Sequence, residues 1–192
     1  LQMSSSPSSS NSDKTFTVDP SDNYSYSNTY KIRVTTGVKD SAGNTLSSQY
    51  ETSNGFTTTG LFVGVGPSGT ILSSPEGTNW TSRTSGVTRE LKAITYGNST
   101  FVVTGASGTI LTSTDGMSWT SRTSGTSDYL RGVTHDGVGL FVAVGDSGTI
   151  LTSSDNGTAW TSRTGTTDNL YYVTHGNSTF VVVGPGGVIL TS

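Results

Sequence analysis

The chain has 192 residues, of which 12% are charged and 30% are apolar, with 25 glycines, no cysteine and a net charge of −3. That length allows one domain or two small ones, and the absence of cysteine excludes disulfides and thiolate metal sites. The net negative charge offers no basic footprint for nucleic acid and no polybasic patch for anionic lipid. No run approaches the roughly 18 apolar residues that a spanning helix needs, so we expect no membrane span.

The beginning of the chain has a different composition from the rest. Residues 1–12 are mostly serine, and we expect a linker or a frayed terminus there. Residues 13–59 have the pattern of β-strands, because residues 15–18 and 29–35 alternate between apolar and polar side chains. Residues 40–44 have turn composition, and residues 55–59 are typical of a closing strand.

The stretch NTYKIRVTTGVKDSAGNTL, followed by GFTTTG, resembles the C-terminal half of a bacterial Ig-like domain of the S-layer-associated type. An Ig-like sandwich needs about 100 residues and seven strands. The segment 13–59 is therefore expected to be a partial Ig-like domain, whose early strands are missing or supplied elsewhere.

Residues 60–192 repeat two words at one shared period. The word F-V-x-[VT]-G-x-x-G-[TV]-I-L occurs four times, and the word WTSRT occurs three times. The first begins at Phe62, Phe101, Phe141 and Phe180, and the second at Trp80, Trp119 and Trp160. The tryptophans lie 39 and 41 residues apart, which indicates stacked supersecondary units.

One repeat contains four strands. Strand a spans residues 91–96, strand b 101–104, strand c 109–112 and strand d 119–122, with turn residues between them. Four antiparallel strands in about 40 residues form a propeller blade. We predict an all-β fold of about three and a half four-stranded β-propeller blades, an incomplete ring, preceded by a partial Ig-like β-sandwich segment.

The turn before each tryptophan carries a second resemblance. The string S-x-D-x-G-x-x-W from Ser153 to Trp160 resembles the Asp-box of the sialidase-like propellers. The string at Ser113 is one residue shorter, and the one at Ser73 has Pro75 in place of the aspartate. The wider repeat resembles the photosystem II assembly factor and related families.

The Asp-box is a signature of the fold and not a catalytic motif. The resemblance implies structural roles: Asp115 and Asp155 cap turns, and Trp80, Trp119 and Trp160 are buried between blades.

The number of blades leaves the ring open. Closed propellers typically have four to eight blades, whereas the repeats open at a strand b and stop after a strand c. The end blades would then expose apolar faces. We expect a homo-oligomer, or a larger chain that completes the propeller.

Ligand specificity is expected where the repeats differ. Lys92, Arg131 and Tyr171 share one position in strand a, which in most propellers lines the central channel. Tyr129 lies in the preceding d–a loop, at the position of Glu90 and Asn169. We predict ligand binding at Lys92, Arg131, Tyr171 and Tyr129, against the alternative that these are ordinary solvated residues.

Two other repeated positions have a chemical and a structural interpretation. A sialidase uses three arginines to bind a carboxylate, and this chain has three repeated arginines, Arg83, Arg122 and Arg163. They lie on the outermost strand, however, where we expect them to cover tryptophan or to pair with a neighbouring blade. Tyr96, His135 and His175 share a position that we also interpret as structural. We therefore predict no metal site and no cofactor.

The sequence contains no recognisable pair of a catalytic nucleophile and a general base. A pair of carboxylates for glycoside hydrolysis stays an alternative, because such residues can be close in space while distant in sequence. We predict a non-enzymatic bacterial structural or binding module that serves adhesion or protein–protein interaction, is extracellular, on the cell surface or periplasmic, and has a protein or a glycan as its partner. The alternatives are a fragment of a glycan-active sialidase-like enzyme and a propeller-type assembly factor.

Overall fold

The computed structural model describes residues 60–192 and six short strands that precede them. The chain divides into two compact units, Leu1–Gly60 and Leu61–Ser192. Each regular element in the described residues is a β-strand or a single 3-10 turn, which confirms the all-β prediction. Within the same residues, no helix has the length and apolar character needed to cross a membrane.

The first unit contributes three antiparallel pairs. Strand β1 pairs with β2, β3 with β6, and β4 with β5. The strands are β1 (Ser8–Ser10), β2 (Thr15–Thr17), β3 (Thr29–Tyr30), β4 (Arg33–Val34), β5 (Tyr50–Glu51) and β6 (Phe56–Thr57). Ser8–Ser10 lies where we expected a linker, and it is paired because a ladder uses backbone groups, which serine supplies like any residue. The predicted turn at 40–44 lies outside the described residues.

The second unit consists of four antiparallel sheets, which we call blades 1 to 4. Blade 1 holds β7 (Phe62–Val65), β8 (Ile71–Ser74) and β9 (Thr81–Arg83); blade 2 holds β10 (Leu91–Gly97), β11 (Thr100–Gly105), β12 (Ile110–Ser113) and β13 (Thr120–Arg122); blade 3 holds β14 (Leu130–His135), β15 (Phe141–Gly145), β16 (Ile150–Ser153) and β17 (Thr161–Arg163); blade 4 holds β18 (Tyr172–Gly176), β19 (Thr179–Val183) and β20 (Ile189–Thr191).

Each strand pairs with the next along the chain, as in a propeller blade. Blades 2 and 3 have strands a to d. In the described residues, blade 1 begins at strand b and blade 4 ends at strand c. The sheets do not close into a ring, as predicted.

The two faces of each blade are buried against different neighbours, because side chains alternate along a strand. In β11, Val102 packs against blade 3 and the adjacent Val103 packs with blade 1. In β12, Ile110 likewise packs against blade 3 and Leu111 packs with blade 1. Each blade therefore has a next-blade face and a previous-blade face.

Three apolar clusters join consecutive blades. Buried residues of the cluster between blades 1 and 2 are Ile71, Leu91, Val103 and Leu111; between blades 2 and 3 they include Val102, Ile110, Leu130, Phe141 and Leu151; between blades 3 and 4 they are Val142, Val144, Leu170 and Val182. The core of the second unit is thus the series of interfaces between its blades.

The tryptophans lie on previous-blade faces, and this position decides their burial. Trp119 packs on the cluster with blade 1 and Trp160 on the cluster with blade 2, both half-buried. The prediction of burial is wrong for Trp80, which is 45% exposed. Trp80 belongs to blade 1, and no blade precedes blade 1 in the described unit to cover it.

Replacing Trp160 by alanine is expected to lower the free energy of unfolding by about 3 kcal/mol, because the indole fills space between two blades. Denaturant unfolding measures this loss. The control is Val138→Ala in the exposed turn of blade 3, which should change stability by less than about 0.5 kcal/mol. A loss below about 1 kcal/mol for Trp160 would contradict its structural role and favour a role in ligand stacking.

Candidate functional site

The innermost strands of blades 2, 3 and 4 are direct neighbours: β10 lies beside β14, and β14 beside β18. In blades 2 and 3, the d–a loop that leads into the inner strand is hydrogen-bonded to the b–c turn of the same blade. In blade 3, the Asp146 N–H donates to the Tyr129 carbonyl at 3.0 Å, and the equivalent Ala106 N–H of blade 2 donates to Glu90. The b–c turn and the start of the inner strand therefore form one hydrogen-bonded unit.

A glycine permits this close approach. A Cβ atom at Gly145 would lie 2.3 Å from the Tyr129 carbonyl oxygen, far inside van der Waals contact. Gly105 and Gly184 stand in the same relation to Glu90 and Asn169. The backbone at these glycines is extended, so the requirement comes from space and not from φ.

Arg131 occupies the centre of the site. Its guanidinium carbon lies 4.5 Å from the ring centre of Tyr129 and 4.9 Å from that of Tyr171, within the range of a cation–π contact. The Nε and Nη2 atoms donate to the two carboxylate oxygens of Asp146, the second bond measuring 3.0 Å. A bidentate pair between two rings has a single orientation, so this side chain is preorganised.

The cluster continues toward blade 2. Burial raises the pKa of the Tyr129 hydroxyl to about 12, and the neighbouring Glu90 carboxylate adds to the shift. Lys92 Nζ lies 3.8 Å from Glu90 Oε1, and both side chains are nearly half exposed. An exposed pair of this kind contributes little to stability.

The structure brings together three of the four predicted ligand residues: Tyr129, Arg131 and Tyr171. Lys92 lies at the edge, with Glu90 as its described ion-pair partner. Asn169 accepts a hydrogen bond from the Ser147 N–H at 2.9 Å and thereby joins blade 4 to the b–c turn of blade 3.

Sequence reasoning missed Asp146. The signal was present, because the first residue of the b–c turn changes from blade to blade as Pro67, Ala106, Asp146 and Pro185. The carboxylate occurs in the same blade as Arg131, and their side chains are each 27% exposed.

Gly145→Ala is expected to lower the free energy of unfolding by about 2 kcal/mol and to displace Arg131, because the new methyl group overlaps the Tyr129 carbonyl. Denaturant unfolding and the NMR signal of the Arg131 Nε–H report the two effects. Gly176→Ala is the matched control, since a Cβ there meets nothing within 4 Å. Equal behaviour of the two variants would contradict the close approach.

The turns before the tryptophans are held by acidic side chains. Asp115 Oδ1 accepts the N–H groups of Met117 and Ser118, each at 2.8 Å, and Asp155 accepts from Ala159 at 3.0 Å. These bonds to the Ser118 and Met117 backbone lower the pKa of Asp115 to about 2. Both aspartates thus cap turns at the rim of the blades.

Blade 1 supplies the same contact through a glutamate instead of an aspartate. Glu76 accepts the Asn79 N–H at 3.2 Å, and Ser74 accepts the Gly77 N–H as Ser113 does for Gly116 in blade 2. The sequence comparison placed Pro75 at the acidic position. The strand register instead aligns Ser74 with Ser113, since these residues pair with Phe62 and Phe101, and it thereby places Glu76 at the position of Asp115.

Replacing Asp115 by alanine should lower the free energy of unfolding at neutral pH by about 1 kcal/mol, since it removes a charged acceptor from two backbone N–H groups. Because the folded-state pKa lies below the ordinary value, this stabilisation is present above about pH 4 and is lost as the pH falls toward 2. Denaturant unfolding across that range should show wild type converging on the variant. The control is Met117→Ala, an exposed neighbour, and a constant difference down to pH 2 would contradict the assignment.

The three repeated arginines do not converge. Arg83 Nε donates to Ser73 at 2.7 Å, Arg122 Nε to Thr112 at 2.8 Å, and Arg163 Nε to Thr152 at 3.0 Å. Each bond stays within one blade, from strand d to strand c. We expected these arginines to cover tryptophan or to pair with a neighbouring blade, but each bonds to the adjacent strand of its own blade. This geometry is not that of a carboxylate clamp.

The position shared by Tyr96, His135 and His175 is filled by ring contacts. Their rings lie 4.5, 4.4 and 4.6 Å from the first phenylalanine of strand b in the same blade. The His135 side chain is 5% exposed, and its Nδ1 accepts the Gly137 N–H at 2.9 Å. Across the described residues, no group of three or more His, Cys, Asp or Glu side chains is placed to hold a metal ion.

Some polar groups of the cluster around Arg131 are engaged within the cluster, and others are open to a partner. The Asp146 carboxylate is bonded to Arg131, and the Tyr129 hydroxyl stays protonated at neutral pH. The groups left for a partner are aromatic ring edges, unused guanidinium N–H groups and the outer lone pairs of Asp146.

Comparisons with known proteins agree with this architecture. A family model of a bacterial Ig-like domain matches residues 2–58, and a model of the DUF6242 beta propeller domain matches residues 57–183. The first match supports the Ig-like assignment of the beginning of the chain, and the second supports the propeller. The search of curated proteins found no match.

Proposed function

Because the chain belongs to the family of the DUF6242 beta propeller domain, we propose that it is a non-enzymatic binding module of a bacterial surface protein. An Ig-like domain joined to a propeller points to a binding or structural role. Bacterial Ig-like domains are typical of surface proteins, which supports an extracellular location.

The observation that carries the proposal is the clamped Arg131. A guanidinium held between Tyr129 and Tyr171 and bonded to Asp146 loses little conformational freedom when a partner binds. Tyrosine and arginine are, with tryptophan, the residues enriched in the hot spots of protein interfaces. We infer that the partner is a protein, which meets this cluster across the inner ends of blades 2 to 4.

The position of the cluster supports the same conclusion. The leucine that precedes each site position is repeated as Leu91, Leu130 and Leu170, whereas the site position itself is Lys92, Arg131 or Tyr171. The repeated leucines are buried and the varied residues face solvent at least in part. The fold thus keeps its core and leaves the chemistry of this surface free to differ between blades.

A glycan-active enzyme is the second candidate, because the aspartate-capped turns at Asp115 and Asp155 fit the resemblance to sialidase-like propellers, although such turns are a feature of the fold and supply no catalytic group. Three features argue for binding instead. The arginines Arg83, Arg122 and Arg163 stay on separate blades, the carboxylate of Asp146 is engaged, and no second carboxylate of the described site shares its hydrogen bonds. We therefore propose that the chain has no hydrolase activity.

The test is a binding screen of the immobilised chain against envelope and extracellular proteins, run beside a glycan array. Arg131→Ala should weaken binding to the protein hit about tenfold or more, since it removes a central hot spot. The matched control is Arg122→Ala, an arginine on the outer strand of blade 2, which should bind as wild type does.

Equal loss in both variants would contradict the site, and binding only to the glycan array would replace the protein partner by a glycan. Purified chain should not turn over sialosides or aryl glycosides. Turnover that is lost on changing one carboxylate would overturn the non-enzymatic proposal.

A further inference from the structure

An open groove of about 710 Å3 is lined by both of the loops that lead into the inner strands of blades 2 and 3. These d–a loops contribute residues 86–89 and 124–127, and the b–c turn 107–109 and the strand-d residues 121–123 of blade 2 complete the lining. Arg131 and its contacts are not part of it. The groove is therefore separate from the site described above.

The lining of this groove is polar and positively charged. Arg89 and Arg122 both belong to it, and none of the described residues that line it is acidic. The chain as a whole carries a net charge of −3, so two arginines without a carboxylate are a local departure from its composition. Five exposed hydroxyl side chains also line the groove: Thr88, Ser107, Ser121, Thr123 and Ser127.

Arg89 occupies a position that is acidic in the next two blades. Its equivalents in the following d–a loops are Asp128 and Asp168. Each aspartate closes its loop, because Asp128 Oδ2 accepts a hydrogen bond from Thr126 Oγ1 at 3.0 Å and Asp168 Oδ2 accepts one from the equivalent threonine at 2.9 Å. In the loop before blade 2, Val87 and Arg89 replace the threonine and the aspartate, so this bond is not made.

The exchange also removes a link between the loop and the b–c turn. In blade 3, Thr149 Oγ1 donates to Asp128 at 2.7 Å, whereas the equivalent Thr109 of blade 2 donates to the Ala106 carbonyl of its own turn. Among the described residues, none forms a hydrogen bond or an ion pair with the Arg89 side chain. Departures from a locally favourable pattern concentrate at functional sites, which makes this loop a candidate for one.

Arg122 is held in place by one nitrogen and keeps the others for a ligand. Its Nε donates to Thr112 at 2.8 Å, and none of the described residues accepts a hydrogen bond from its Nη groups. Asp128 adjoins the groove at Ser127, but its Oδ2 atom is already bonded to two hydroxyl groups. Two guanidinium groups thus face the groove, and a guanidinium binds an oxyanion through two parallel N–H bonds.

We propose that this groove binds an acidic glycan, whose carboxylate or sulfate groups pair with Arg89 and Arg122 while its ring hydroxyls bond to the exposed serines and threonines. Val87 is the one apolar side chain in the described lining, and no aromatic residue belongs to it. Protein interfaces are rich in aromatic residues and poor in serine, so this lining favours a glycan over a peptide. The inference goes beyond the protein partner proposed for Arg131 and does not depend on it.

The first test is a titration of the full chain, followed by NMR and calorimetry, with galacturonate trimer, sulfated maltotriose and neutral maltotriose. At least one of the two acidic probes should bind, and the two together distinguish a carboxylate ligand from a sulfate ligand. Raising the salt concentration should weaken the binding, because partly exposed ion pairs are screened. Equal affinity for neutral maltotriose, tighter binding of a glutamate hexapeptide, or no binding of either acidic probe would overturn the proposal.

The second test copies the loop of blade 3 into blade 2. The double variant Val87→Thr with Arg89→Asp restores the bonded threonine and aspartate and removes one guanidinium, so it should fold and bind the acidic probe at least about tenfold more weakly. Arg122→Ala should weaken the binding to a similar extent. Circular dichroism establishes that each variant is folded, and Arg89→Ala replaces the double variant if it is not.

Arg163→Ala is the matched control, because Arg163 holds the position of Arg122 in blade 3, where Asp128 stands in the place of Arg89. It should bind the acidic probe as wild type does, and so should Arg131→Ala. Equal loss in Arg163→Ala, or unchanged binding in the double variant, would contradict the assignment of the groove. Loss confined to Arg131→Ala would place the glycan at the other site and would equally overturn this proposal, whereas loss of a protein partner in that variant bears only on the proposed function.

Discussion

A blade of this protein has no interior of its own, because the side chains of its central strands alternate between two neighbours. Val102 and Val103 are adjacent in sequence, yet they belong to different apolar clusters and hold different pairs of blades together. Stability is therefore a property of contacts between repeats, as in other stacked arrays. The consequences run through the whole unit: the exposure of Trp80, the open face of blade 4 and the geometry of the inner strands all follow from which neighbour is present.

The site around Arg131 depends on the same stacking. Tyr171 reaches the guanidinium only because β18 lies beside β14, and Asn169 ties the two blades together through the Ser147 N–H. Within blade 3, the close approach at Gly145 sets the distance between the turn that carries Asp146 and the loop that carries Tyr129. Packing between blades and a backbone bond within one blade thus fix a charged pair between two aromatic rings. The binding role proposed for this cluster would require such rigidity.

The architecture was predictable because the same pattern of strands and turns recurs in each repeat. The period of the tryptophans, the alternation in strand b and the turn residues all indicated four-stranded blades, and the shared position of Arg131 and Tyr171 indicated neighbouring inner strands. What failed was single-residue geometry. Trp80 matches Trp119 in sequence but lacks the neighbour that makes Trp119 structural. Glu76 occupies the position of Asp115 in the strand register, whereas the sequence comparison, begun one residue early at Ser73, assigned that position to Pro75. Asp146 pairs with Arg131 across a turn, 15 residues away, a contact that no local pattern contains.

The b–c turn has a consequence for how such a protein can change over time. In blades 1 to 3 its shape depends on a serine with positive φ, a following glycine and main-chain hydrogen bonds, none of which involves the first residue's side chain. That first residue has become proline, alanine and aspartate in successive repeats without altering the turn. Each duplicated unit therefore arrives with one position that selection can rewrite at small structural cost. The chemistry of this surface can in this way change one blade at a time, while the backbone of the blade is retained.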